Sequence, residues 1–180
     1  PGLIIAQQPS GTTAGTTLTP SPKVKLIDGL GEPMPGKEVT VSLNKNAFTD
    51  ESSLLVNTDA EGVASFDNLV VETASGEYVL TFTADEPNVA DISSNPFGVA
   101  ASSGDALNSS ATVPDGIAGV ETVISVSIFD RFGNEVSGVL DDVSVDINGA
   151  NSSSDVRIEA GAPGEYVAIY PPENIGADEI

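Results

Sequence analysis

Hydrophobic and polar residues alternate along much of the chain. Val39, Val41 and Leu43 are separated by Thr40 and Ser42, and Tyr78, Leu80 and Phe82 by Val79 and Thr81. Further on, Ile124, Val126 and Ile128 are separated by Ser125 and Ser127, and Val143, Val145 and Ile147 by Ser144 and Asp146. A period of two with one polar face predicts half-buried antiparallel strands. No apolar stretch keeps a helical period for longer than about two turns. Gly31, Gly36, Gly62, Gly76, Gly133 and Gly164 fall between the predicted strands, where turns call for positive φ. Sheets with one apolar face must cover each other, so the pattern predicts β-sandwiches.

The same landmarks occur twice. Pro9-Ser-Gly-Thr-Thr-Ala-Gly is matched by Pro114-Asp-Gly-Ile-Ala-Gly, and VKLID ending at Asp28 by VSIFD ending at Asp130. VTVSL (Val39 to Leu43) is matched by VSVDI (Val143 to Ile147), and Gly76-Glu77-Tyr78 by Gly164-Glu165-Tyr166. The reading is therefore two tandem domains: 1–99, a short linker at 100–105 of small and polar residues, and 106–180. The first copy carries an extra hairpin-like piece around Leu54 to Glu72. The second is expected to lack its last strand. The chain opens at Pro1 with no Met and is read as a segment of a longer protein.

With IIAQQPSGTTAG, VKLIDGLGEPMPGKEVTVSL, NTDAEGVASFDNL and ASGEYVLTFTA, the first domain resembles the Ig-like repeats of large bacterial surface proteins and invasin-type adhesins. With AGVETVISVSIFDRFGNEV and APGEYVAIYPPENIG, the second resembles filamin-type Ig repeats. The resemblance implies two immunoglobulin-like sandwiches that space, display or bear load, at the cell surface or outside the cell. Their partners would be neighbouring Ig-like domains of the same protein, other copies, or host or surface ligands. It carries over no catalytic residue.

Composition sharpens this picture. There are 27 acidic against 6 basic residues, a net charge of −21. Such a surface repels phosphate backbones and anionic lipid heads, which argues against nucleic acid and membrane surfaces as partners. The longest apolar run near the start, Leu3 to Ala6, is too short to span a bilayer. With no Cys and no His, thiolate and imidazole chemistry are absent, and so is the commonest general base.

Candidate chemistry is sparse. The four Lys are Lys23, Lys25, Lys37 and Lys45; the first two belong on an outward strand face, which leaves a Ser-Lys nucleophile unsupported. Asp141 and Asp142 are a carboxylate pair without an aromatic sugar platform, since the chain has no Trp and only 3 Tyr. No catalytic, cofactor-binding or metal residue is assigned. Asn57-Thr-Asp-Ala-Glu-Gly62 places oxygen ligands at alternate positions, as a calcium loop begins, but its twelfth position is Asn68. The expectation there is a tight turn. Asp105 with Asp85, Glu86 or Asp91 is a second candidate calcium set. Tyr78 and Tyr166 are expected to anchor loops through their hydroxyls, and Phe132 to sit at an exposed turn tip. Asn108-Ser-Ser and Asn151-Ser-Ser match the glycosylation sequon. The preferred reading is a non-catalytic spacer. The alternatives are a glycan- or protein-binding adhesion module and assembly by strand sharing, with Leu3 to Gln7 as donor.

Overall fold

A computed structural model describes residues 1–152 and 156–180. The chain divides into two compact units, Pro1–Ala100 and Ala101–Ile180. The fold is all-β; the only helical element among the described residues is one 3-10 turn, Leu140–Asp142.

The first unit contains β1 (Gly2–Gln7), β2 (Thr12–Thr13), β3 (Lys23–Ile27), β4 (Glu38–Leu43), β5 (Leu55–Asn57), β6 (Val63–Ser65), β7 (Ser75–Tyr78), β8 (Leu80–Ala84), β9 (Ile92–Ser93) and β10 (Phe97–Ala100). They form sheets in the orders β1-β3-β6, β5-β4-β8-β9 and β2-β10-β7. The alternation read from the sequence decides which side chains go inside. Val24 and Leu26 of β3, Val39 and Val41 of β4, and Leu80 and Phe82 of β8 are buried, while Lys23, Glu38 and Thr40 face water. Phe66 and Phe82 meet at 5.4 Å between ring centroids, tilted by 47°, in the edge-offset range that aromatic pairs favour.

The Leu54–Glu72 piece is not a hairpin. β5 pairs with β4 and β6 with β3, so the chain crosses from one sheet to another there. Leu3 to Gln7 is likewise not available for donation. β1 pairs antiparallel with β3 through five residue pairs, from Gly2↔Ile27 to Gln7↔Lys23, and Leu3 is buried. Releasing it would expose that apolar side chain and a row of ladder bonds.

The second unit contains β11 (Ser110–Thr112), β12 (Thr122–Ser127), β13 (Asn148–Gly149), β14 (Arg157–Ala160), β15 (Glu165–Tyr170) and β16 (Asp178–Glu179). Its main sheet runs β11-β12-β15-β14, all antiparallel, and β13 pairs with β16. Ile124, Ile147, Ala168 and Tyr170 form a small core, with Val126, Val145, Val156 and Ile158 packed against it. The expected strand Val143–Ile147 has the right burial alternation, but among the described residues it joins no ladder.

The doubled landmarks are only partly equivalent. The strand that follows Gly76-Glu-Tyr pairs with β4, whereas the strand opened by Gly164-Glu-Tyr pairs with β12, the counterpart of β3. Their backbones differ too: Gly164 has φ +73°, but in the first copy Glu77, not Gly76, takes the left-handed conformation, at φ +62°. Residues 102–105, read as linker, are bonded into the second unit: Gly104 bridges Asp130, and the Asp105 N–H donates to the Phe129 carbonyl at 2.8 Å.

Candidate functional site

One five-residue pattern, Asp-x-x-Gly-x, builds the same turn at three places. At Asp28, Asp59 and Asp130 the Asp N–H donates to the carbonyl four residues on, at 2.9 Å each time. The Gly N–H returns to the Asp carbonyl at 3.0–3.2 Å. The Asp Oδ1 accepts two further N–H groups, from Leu30 and Glu32, from Glu61 and Val63, and from Phe132 and Asn134. Each Gly has positive φ: +88° at Gly31, +75° at Gly62 and +81° at Gly133. The carboxylate caps amides that the turn would otherwise leave open.

This settles the local geometry of Asn57–Gly62. The Oδ1 of Asp59 is occupied by backbone amides at 3.0 and 2.8 Å, in a tight turn. Among the described residues no group of three or more carboxylates is placed to hold a metal. Glu86 pairs with Lys37 at 2.6 Å, and the Asp105 Oδ1 accepts the Leu107 N–H at 3.0 Å.

Of the three turns, the one at Asp130 is the most heavily bonded. Its side chain is fully buried, at 0% exposure. Its Oδ2 accepts the Ser102 N–H at 2.9 Å, the Ser102 hydroxyl at 3.2 Å and the Asn134 amide at 2.8 Å. Its carbonyl accepts the Asn108 Nδ2 at 2.9 Å. Burial pushes the carboxyl pKa up, but the bonds from Asn134, Ser102 and Phe132 together outweigh it and hold it at about 2. Asp130 thus ties the first residues of the unit to the end of β12. The exposed Asp28 turn is a weaker version: the Glu32 and Leu30 amides lower its carboxyl below the usual range. Phe132 is half-buried beneath the Arg131 guanidinium, 4.5 Å from its ring centre, rather than at an exposed tip.

The two tyrosines act as anchors. The Tyr78 hydroxyl donates to the Thr73 carbonyl at 2.8 Å and accepts from the Asn46 amide at 2.6 Å. The Tyr166 hydroxyl donates to the Val136 carbonyl at 3.0 Å and accepts the Val139 N–H at 3.3 Å, tying down a segment 30 residues earlier in the chain.

A cleft of about 500 Å³ in the second unit is lined by Asp115, Asn151, Tyr170, Asn174, Ile175 and Asp178, among others. Asn151, Asn174 and Asp178 bond to one another. The Asn151 Nδ2 donates to the Asn174 carbonyl and the Asp178 Oδ2, both at 2.9 Å, and its Oδ1 accepts the Glu173 and Asn174 N–H groups. The Asn151 side chain and backbone hold the Asp178 carboxyl below its ordinary range, while burial and the Asp178 charge push the Tyr170 hydroxyl up. Both sequon amides donate to backbone carbonyls, Asn151 from a buried position and Asn108 from an exposed one; Ser153 of the second sequon lies outside the described residues.

The family model described as SMCHD1 Ig-like domain 6 matches residues 5–96, just over half of the chain. The chain belongs to this Ig-like family. The matched stretch runs from within β1 to the residue before β10, the last strand of the first unit. No curated protein matches the chain. Three solved structures are similar to it. Invasin, a bacterial integrin-binding protein, is 18% identical with a TM-score of 0.45, over 98% of this chain and 34% of that one. The FdeC adhesin of Escherichia coli is 18% identical with a TM-score of 0.49, over 93% and 53%. The InvE adhesin of Yersinia pseudotuberculosis is 16% identical with a TM-score of 0.44, over 97% and 52%. This Ig-like chain spans about a third to a half of their lengths. Among its described residues no helix is long and apolar enough to cross a membrane.

Proposed function

We propose that this chain is a non-catalytic, load-bearing spacer within a larger extracellular or cell-surface protein. The observation that carries the reading is the pairing of the first unit's early and last strands. β2 and β10 run parallel, Thr12 opposite Val99 and Thr13 opposite Ala100, and the Ala14 N–H donates to the Ala100 carbonyl at 2.8 Å. Pulling the two ends of the unit apart slides these parallel strands past each other, so their bonds resist together in shear rather than opening one at a time. The Asp130 node supports the same role in the second unit by fastening residue 102 to the end of β12. The acid excess suits an array of modules that must not adhere to one another, since like charges repel within a Debye length of about 8 Å.

Single-molecule stretching of the whole chain tests this. Two unfolding events are expected, and Ala14→Pro, which deletes the N–H bonded to Ala100, is expected to lower the force of the first unit's event. An unchanged force, or extension with no resisted event, would overturn the load-bearing reading.

A further inference from the structure

We infer that Asn148 is a site of spontaneous deamidation, and that its conversion is a one-way chemical event that loosens the β13–β16 edge of the second unit. The sequence supplies the first reason: Asn148 is the only asparagine followed by glycine. Deamidation begins when the main-chain nitrogen of the next residue attacks the asparagine side-chain carbonyl carbon. A Cβ on that next residue shields its nitrogen, and Gly149 has none. The structure supplies the second reason. Asn148 is exposed, and its strand is two residues long, so the ladder that holds it extended is short. A segment held by few backbone bonds opens locally at low cost, and opening gives the chain the freedom that the attack requires.

Asparagines followed by other small residues are pinned by their side chains. Asn46, before Ala47, donates to the Tyr78 hydroxyl at 2.6 Å. Asn108 and Asn151, each before a serine, donate to the Asp130 and Asn174 carbonyls, both at 2.9 Å. At Asn148 the step balances with water as the one co-reactant. The Gly149 nitrogen loses its proton and bonds to the Asn148 Cγ; the Cγ–Nδ2 bond breaks and ammonia leaves, closing a five-membered imide. Water then opens the ring at one of two carbons. Attack at Cγ leaves an aspartate. Attack at the main-chain carbonyl carbon leaves an isoaspartate, whose backbone is one carbon longer. Nothing is oxidised or reduced.

The surroundings make either product destabilising. Asn148 stands opposite Glu179 in the ladder, and the exposed Asp146 lies two residues earlier. A new carboxylate at 148 therefore faces a like charge across the strands, which weakens a sheet. The isoaspartate acts through length. A Cβ added to Gly149 would collide with the Ala177 carbonyl oxygen, so the two backbones run too close to absorb an extra atom. The bonds at risk are those that follow directly. The Ala150 N–H donates to the Ala177 carbonyl at 3.1 Å, and the Asn151 N–H to the Asp178 Oδ1 at 2.8 Å.

The test ages the whole chain in mildly alkaline buffer, where the attacking amide is more often deprotonated. Its peptides are then mapped by mass, with isoaspartate detected separately. The peptide holding Asn148 is expected to gain about 1 Da sooner than any other asparagine peptide, as a mixture of both products. Amide exchange at Ala150 and Asn151 is expected to quicken by about tenfold in the converted protein. Asn148→Ser is expected to age with no change in that exchange, and freshly made Asn148→Asp to exchange faster than the native chain from the start. Three results would overturn the proposal: Asn148 converting no faster than the other asparagines; conversion that leaves exchange at Ala150 and Asn151 as it was; and the same acceleration on ageing in Asn148→Ser, which would place its cause at another residue.

Discussion

Replacing Asp130 by Asn exchanges one oxygen for an amide group of nearly the same size. Whichever way the new amide turns, its NH₂ faces donors. At the Oδ2 position it meets the Ser102 N–H and the Asn134 amide, and at the Oδ1 position the Phe132 and Asn134 N–H groups. At least two N–H groups lose their acceptor in a site with 0% exposure, at a cost of about 1–3 kcal/mol each. The carboxyl pKa, lowered by these same bonds, gives a second reading of their worth. A shift from 3.8 to about 2 corresponds to about 2 kcal/mol of preference for the charged form in the folded state. The lost bonds thus cost at least about 2 kcal/mol near neutral pH, the level at which the two readings meet. The sign of the pH dependence follows. The folded pKa lies below the unfolded one, so the contribution is complete above about pH 4 and is lost as pH falls through about 2. Urea unfolding followed through the amide resonances of residues 101–180 measures the difference between native and Asp130→Asn proteins. That difference is expected to be large at pH 6 and to shrink towards pH 2. A difference below about 0.5 kcal/mol at pH 6, or one that stays constant with pH, would refute the reasoning.

Other outcomes follow from the same geometry. Phe66→Ala empties a fully buried site against Phe82 and is expected to cost about 3–5 kcal/mol, read as a lower melting temperature of the first unit. Gly62→Ala is expected to be more damaging than Gly31→Ala in the same melting assay. Both residues have positive φ, but the added Cβ at 62 falls 2.7 Å from the Leu26 carbonyl, whereas at 31 nothing lies within 4 Å. Tyr166→Phe removes the bond to the Val136 carbonyl and leaves the Val139 N–H without its acceptor, for an expected loss of about 1–3 kcal/mol, with faster amide exchange at 136–139. Millimolar calcium against chelator is expected to move the melting temperature by less than about one degree, because Asp59 is already committed to the Glu61 and Val63 amides. A rise of several degrees would show that other acids gather the ion.

The inward faces of the strands were legible because burial follows a local period: Val39, Val41, Leu80, Phe82 and Ile124 are all where alternation puts them. What the period does not encode is the partner. VSVDI reads as well as VTVSL, yet among the described residues only the latter has a ladder, because pairing depends on segments the local pattern does not name. The two Gly-Glu-Tyr landmarks end up against non-equivalent strands for the same reason. The tight turn expected at Asn57–Gly62 is present, and the spacing Asp-x-x-Gly that it shares with Asp28 and Asp130 accounts for the match between the three. The burial of Asp130 was not legible, since it needs Ser102, 28 positions away, to close over it.

The recurrent aspartate turn also bears on the order in which the chain folds. Each closes through bonds among its own five residues, before any distant partner joins it, so it can form on the microsecond scale of hairpins. The ladders it serves are distant: Thr122 must find Tyr170, and Gly104 must find Asp130. Search over such separations is what slows β-rich proteins. Three preformed reversals shorten it by fixing which way each strand leaves its corner before its partner has arrived.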